Sequence, residues 1–405
     1  MKMLCHRSAC YRQLGIGFIL LLQGFFIPRA VAWQLPDTTD QLTFSLITGS
    51  PGSDLYAVFG HSAIRLRNHD TGQDILYNYG TFDFNTPHFY WKFLRGKLLY
   101  MLSIDRTEEL ALYYRYENRA LTEQIMNLNP TQKAALAAYL EWNYQPVHRY
   151  YLYDFFYDNC ATVIRDVLEK QFNLQYVNDS TRNITFRQLL DEYLTDMPWS
   201  DFGIDLVLGL PADKRADFRN HMFLPDYLAA HLAQATLDDG QPLLQPAQIL
   251  QPRTLSDTSH HLFTPMLLFV IVALLAIAIT LSKNKTLKNI FDWVVLFSCS
   301  LGGLLLTFMW FGTDHIATKW NWNVLWINPL CIVLLWGMWQ EAPWLRIAFA
   351  TYAAILWLLL LTWGWFPQQF NMAVIPIWIA LIARSMDREG VVFGLLLEKF
   401  NPPKN

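Results

Sequence analysis

At 405 residues the chain is long enough for two or three domains. With 31 basic and 34 acidic residues it is close to neutral, which removes the electrostatic case for a nucleic-acid partner. Residues 290–382 hold only five fixed charges (Asp292, Asp314, Lys319, Glu341, Arg346), and twelve of the 16 tryptophans lie beyond residue 290, a composition that belongs in a bilayer.

Residues 1–32 read as an export signal. Lys2, His6, Arg7 and Arg12 precede an apolar core from Leu14 to Ile27, and Ala30-Val31-Ala32 supplies a small-residue cleavage site before Trp33. Cleavage is expected, with an uncleaved anchor as the alternative; both put residue 33 onward outside the cytoplasm. Residues 33–240 mix charged, aromatic and apolar residues as a soluble domain does. Strands are predicted over Leu42 to Ile47 and Tyr56 to Arg67, separated by the turn-rich Gly49-Ser50-Pro51-Gly52-Ser53. Asn68-His69-Asp70-Thr71-Gly72 then turns the chain into Asp74 to Tyr79, giving a hairpin. Helices are expected over Glu108 to Arg119, Thr131 to Trp142, from near Cys160, over 185–195 and over 212–235. Residues 241–261 read as a linker.

Five apolar spans follow near 262–282, 291–311, 323–340, 344–364 and 370–384, closing a membrane domain over 262–388 and leaving a tail, 389–405. Lys283, Lys285, Lys288, Arg346, Arg384, Arg388, Lys399 and Lys404 fall on one side, which the positive-inside rule makes cytoplasmic. The soluble domain and the loop 312–322 then share the external side. The expected fold class is an α+β exported domain followed by an all-α transmembrane bundle of about five helices.

Of the five cysteines, Cys5 and Cys10 leave with the signal and Cys299 and Cys331 fall in spans, so Cys160 is the only one in the exported domain. A disulfide needs a partner, so Cys160 is either a buried inert thiol or a reactive one. Asn159 is a good helix N-cap and would place Cys160 in the first turn, where the helix dipole favours the thiolate and free N–H groups could hold an oxyanion. In Phe59-Gly60-His61-Ser62-Ala63-Ile64-Arg65-Leu66, apolar Val58, Ile64 and Leu66 share one strand face. His61 would then stand on the other, open face, placed to act as a base. Each has a plain alternative: a capped, packed turn for Asn159-Cys160 and a structural role for His61.

The histidine on a strand in Gly60-His61-Ser62, followed by Asn159-Cys160 opening a helix, resembles the circularly permuted papain-like (NlpC/P60-type) fold, whose members include peptidases and lipid acyltransferases. More narrowly, the chain is similar to the Lnb-type lipoprotein N-acyltransferases. The residues that carry this resemblance are Ile47-Thr48-Gly49-Ser50-Pro51-Gly52, Phe59-Gly60-His61-Ser62, Tyr77-Asn78-Tyr79-Gly80-Thr81-Phe82-Asp83-Phe84, Phe93-Leu94-Arg95-Gly96-Lys97-Leu98 and Asp158-Asn159-Cys160. In the membrane half they are Thr313-Asp314-His315, Asn321-Trp322-Asn323 and Asn328-Pro329. Asp158 departs from the second asparagine expected there, while the cap Asn159 is kept.

The resemblance implies Cys160 as nucleophile and His61 as base. The third, imidazole-orienting group is expected from the next strand, with Asn78 first and Asp83 second. The implied reaction moves an acyl chain from a phospholipid, through a Cys160 thioester, to the α-amine of a diacylglyceryl-cysteine lipoprotein at the inner membrane, with the catalytic domain on the periplasmic side. A membrane-anchored peptidase or amidase using the same dyad is the alternative, and a non-enzymatic membrane scaffold is a third reading. The run Phe89 to Tyr100, in which Lys92, Arg95 and Lys97 interleave with aromatics, fits either a lipid interface or an ordinary core element. His315, beside Asp314 and Lys319, could bind a head group, position the exported domain or cap a loop. No metal-ligand spacing and no phosphate-binding glycine loop is visible, so no metal or cofactor is expected.

Overall fold

A computed structural model describes residues 39–177, 183–254 and 262–389. The predicted signal and the tail beyond residue 389 lie outside them.

The exported domain is built on β1 (Leu42–Gly49), β2 (His61–Asn68), β3 (Asp74–Thr81), α1 (Phe89–Leu94), β4 (Leu99–Arg106), α2 (Thr107–Tyr116), β5 (Leu121–Ile125), α3 (Pro130–Tyr144) and β6 (Tyr150–Leu152). It continues through α4 (Cys160–Gln171), α5 (Phe186–Leu194), α6 (Pro198–Val207), α7 (Phe218–His221), α8 (Pro225–Gln234) and β7 (Gln248–Gln251). The seven strands form one antiparallel sheet in the order β6-β4-β3-β2-β1-β5-β7. One face buries Ile47, Ala63, Leu76 and Leu121 under Tyr114 of α2. A second core gathers Val58, Phe156, Phe186, Leu190 and Phe223 around the helices that follow α4.

Three expectations for the elements of the exported domain need correction. β2 starts at His61 rather than Tyr56, because residues 51–60 form a turn that closes at Gly60. There φ is 77°, and an added Cβ would lie 2.7 Å from the carbonyl of Gly49. The expected helix over 212–235 is broken by Pro225, which opens α8, and by Asp217, whose carboxylate caps the four-residue α7. The expected linker contains β7, which pairs with β5 and covers that sheet edge.

The membrane half comprises α9 (Pro265–Leu281), α10 (Lys285–Phe311), α11 (Cys331–Trp339), α12 (Leu345–Leu361) and α13 (Val374–Glu389). α10 is long and apolar enough to cross a bilayer; α9 and α12 are 17 residues each. The third span is shorter than expected. With 9 residues α11 extends about 14 Å, roughly half of a hydrocarbon core. The preceding residues, Ile327 to Pro329, are non-helical and lie against Gly302 and Gly303 of α10, where any Cβ would strike them. Irregular backbone at this depth is tolerated because protein covers it. Asp292, Lys288, Arg384, Asp387 and Arg388 pair with one another at the end of the bundle the sequence assigns to the cytoplasm.

Candidate active site

Cys160 is the first residue of α4, and Asn159 is its cap. The Asn159 side-chain oxygen accepts from the amides of Ala161 (2.9 Å) and Thr162 (3.0 Å), while its Nδ2 donates to the carbonyls of Phe155 and Phe223 (both 2.8 Å). This corrects the expectation of several free first-turn donors. The cap occupies two of them, leaving the Cys160 amide as the first-turn N–H available to an oxyanion.

His61 begins β2, and its imidazole lies beside the thiol of Cys160. Gly80 of β3 faces this pair: its φ of 86° lies in the left-handed region that favours glycine, and an added Cβ there would be in ordinary contact, 3.5 Å, with Cys160 Cβ. The face of β2 that carries His61 is not open. It is roofed by α2, and His61 itself is half-buried.

The orientation of the imidazole follows from a chain of donors and acceptors. His61 Nε2 meets Asn78 Oδ1 at 2.5 Å; Asn78 Nδ2 donates to Asp105 Oδ2 at 2.8 Å; Ser103 Oγ donates to the same oxygen at 3.0 Å. A carboxylate only accepts, so the amide NH2 of Asn78 must face Asp105 and its oxygen must face the ring. His61 Nε2 is therefore the protonated nitrogen, and Nδ1 is left to face the thiol. Register produces this alignment: Ala63 lies opposite Asn78 by extension of the β2–β3 ladder, and Asn78 lies opposite Ser103 in β4.

Burial alone would push the Cys160 thiol up. The imidazole beside it and the amides of Ser62 and Ala161 outweigh burial and bring the thiol below its ordinary 9.0. Burial would likewise lower His61, but Cys160 and the bond to Asn78 hold it above 6.5. Both shifts favour a thiolate–imidazolium pair.

Residues 30–192 match the Lnb N-terminal periplasmic domain, and residues 257–388 match the Lnb transmembrane domain. The chain belongs to the Lnb family. No curated protein and no solved structure matches it. It is accordingly a membrane protein whose Lnb periplasmic domain is mixed α and β with an antiparallel sheet.

The Lnb membrane domain holds the periplasmic one by specific polar contacts. Arg95 Nε donates to the carbonyl of Gly312 (3.1 Å), the amide of Asp314 to the carbonyl of Arg95 (2.8 Å), and His315 Nε2 to the carbonyl of Phe93 (3.2 Å). Of the three roles considered for His315, these contacts fit positioning. Lys319 caps the end of α10 by donating to the carbonyls of Trp310 and Thr313. Asn321 and Asn323 donate to the carbonyls of Asp205, Leu206 and Val207 at the end of α6, and the amide of Gly209 donates to the carbonyl of Ala317 (2.8 Å).

Asp83 and Lys97, also singled out in the sequence, have partners away from the thiol. Asp83 is exposed and closes a turn by accepting from the amide of Asn85 (2.8 Å), so Asn78 and not Asp83 meets the imidazole. Lys97 pairs with Asp314 at 3.6 Å, both exposed. Ser62 is buried and touches the site through its backbone amide.

Two residues near the site went unrecognised in the sequence. Asp105 is one. Arg119 is the other: its Nε and Nη2 both donate to the carbonyl of Ser50 (2.9 and 2.7 Å), tying down the loop that leads to His61. A cavity of about 360 Å³ lies beside that loop, lined by Pro51, Val58, Tyr193, Met197 and Trp199 among others.

The fold also creates a carboxylate group that sequence spacing concealed. Asp191, Asp201 and Asp205 bring oxygens within 4.8 Å of one another. Protein donors already serve it, since Arg187 binds Asp205 at 2.6 Å and Asn371 Nδ2 donates to Asp201 and Asp205. Burial and the charges of Asp205 and Asp201 push Asp191 up to about 7.

Proposed function

We propose that this protein is a multi-pass inner-membrane lipoprotein N-acyltransferase in which Cys160 is the nucleophile, His61 the acid–base group and Asn78 the residue that orients the imidazole. The observation that carries this reading is the Cys160–His61–Asn78 chain on a domain hydrogen-bonded directly onto a membrane bundle. A thiol held there meets substrates that reside in the bilayer.

In the first half-reaction the Cys160 thiolate attacks the ester carbonyl of a phospholipid. The S–C bond forms, the ester C–O bond breaks, and the His61 imidazolium protonates the departing alkoxide as lysophospholipid. The Cys160 amide faces the oxyanion. In the second half-reaction the free α-amine of a diacylglyceryl-cysteine lipoprotein attacks the thioester. The N–C bond forms, the S–C bond breaks, and neutral His61 takes the amine proton. Thiolate and imidazolium are thereby restored, so the cycle needs no cofactor.

The test is to incubate the full-length protein with phospholipid and a synthetic diacylated lipopeptide and follow masses. Gain of one acyl chain by the lipopeptide, lost in Cys160→Ser and His61→Ala, supports the reading. Cleavage of the peptide without acyl gain would replace it with a peptidase.

A further inference from the structure

α1 exposes a strongly apolar surface. Tyr90, Trp91 and Phe93 are 66%, 54% and 49% exposed, and Leu94 is exposed beside them. A short helix in a soluble domain gains nothing from that exposure. Its position supplies the reason. The Trp91 ring stands 6.1 Å from Phe308, in the last turn of the spanning helix α10, and the Arg95 and Phe93 contacts pin the end of α1 to the loop that leaves the membrane. The exposed rings of α1 therefore lie at the level where α10 emerges from the bilayer, the depth at which aromatic side chains favour the lipid–water boundary.

From there a file of rings runs toward the segment that leads into Cys160. Phe93 stacks on Phe89 (6.3 Å), Phe89 meets Phe84 (4.9 Å) and Phe82 (5.6 Å), Phe82 meets Tyr100 (5.2 Å), and Tyr100 stacks on Tyr153 (4.4 Å). Tyr153 precedes the Asp154–Asp158 bridge that leads into Cys160, and Phe82 is two residues beyond Gly80, which faces Cys160. Apart from buried Phe89, these rings are half-buried or exposed, so they form a surface strip and not a closed core.

We propose that this strip, Phe93–Phe89–Phe84–Phe82–Tyr100–Tyr153, is the track along which one acyl chain of a bilayer phospholipid is drawn out of the membrane to Cys160, with α1 dipping into the interface as its mouth. The proposal rests on the acyl-transfer reading and adds the path of the donor. An acyl chain is the occupant the surface suits. The strip is aromatic along its length, begins beside the spanning helix α10, ends on the segment that leads into Cys160, and carries Lys92 at its mouth for a phosphate.

The experiment uses full-length Cys160→Ala in nanodiscs containing a phospholipid with a photoreactive acyl chain, so that the donor binds and is not consumed. Cross-links on Phe82, Phe84, Phe89 or Tyr100 are expected. Cross-links confined to the cavity beside Trp199, or to the lipid-facing sides of the spans, would overturn the track. Rates of Cys160 acylation add a second arm. In Phe84→Ser and in the double variant Trp91→Ser, Phe93→Ser, the loss should grow with donor chain length, reaching roughly tenfold for a palmitoyl phospholipid as buried methylene contacts are lost. Tyr116→Ser, which removes a ring 90% exposed on α2, serves as the control with unchanged rate. A loss equal for palmitoyl and butyryl donors would mean that the strip only supports the fold. Cross-linking without any acylation of lipopeptide would leave the track standing and sink the transferase reading; acylation with cross-links elsewhere would do the reverse.

Discussion

Removing the carboxylate of Asp105 tests the orientation argument at its least obvious point. Asp105 touches neither the thiol nor the imidazole; it accepts from Asn78 Nδ2 at 2.8 Å and from Ser103 Oγ at 3.0 Å. In Asp105→Ala the Asn78 amide loses the partner that fixes which of its ends faces His61. A hydrogen bond to a charged group contributes about 1.5–3 kcal/mol, so the productive orientation should fall in population by roughly 10- to 150-fold. If Asn78 turns its NH2 toward the ring, His61 Nε2 must become the acceptor and stays unprotonated, so the imidazole is neutral with its one proton on Nδ1 and can no longer take the thiol proton. Asp105→Asn keeps an acceptor oxygen and should lose less.

The assay is the rate of Cys160 alkylation by iodoacetamide across pH, paired with a thermal melt. The expected result is a shift of the reactive limb to higher pH in Asp105→Ala, with partial return in Asp105→Asn. A merely structural role would lower the melting temperature without moving that limb. An alkylation profile identical to that of the unaltered protein would refute the relay through Asn78.

Other expectations follow from the same geometry. His61 holds the thiol below its ordinary 9.0 against burial, so alkylation of the unaltered protein should persist as pH falls below 9.0, declining once the thiolate protonates. In His61→Ala burial is opposed only by backbone amides, and the limb should move up; a limb that stays in place would contradict the pairing. Gly209→Ala would put a Cβ 1.9 Å from the carbonyl of Lys319, so the domains must part there, at a cost of about 1–3 kcal/mol. Limited proteolysis should then cut near Gly209, and unaltered cleavage would count against that contact. Arg187, fully buried between Asp205 and Asp213, should destabilise the protein by about 3–5 kcal/mol as Arg187→Met, read by melting. A change under about 1 kcal/mol would show the pairs to be dispensable.

What could be read from the sequence depended on how local its cause was. Asn159 caps Cys160 through bonds spanning three residues, and the β2–β3 hairpin that carries His61 and Asn78 closes through a short turn, so both were legible. Asp105 was not, because β4 returns to β3 only after α1, and its place depends on a ladder with a register shift between Asn78 and Thr81. Asp83, the second choice behind Asn78 in the sequence, is spent on its own turn. The roof of α2 over the His61 face, and the gathering of Asp191, Asp201 and Asp205, arise from packing between elements and leave no periodic trace. Composition located the membrane half but overstated its third span, since apolar residues serve as well in covered, irregular backbone as in a crossing helix.

The most direct test of the central claim is the mass of Cys160 itself. Purified protein given phospholipid alone should carry one acyl chain on Cys160, as a thioester removed by neutral hydroxylamine. Adding diacylated lipopeptide should clear that mass from the protein as the same mass appears on the peptide's α-amine. A Cys160 that stays unacylated while the lipopeptide gains its chain would contradict the account.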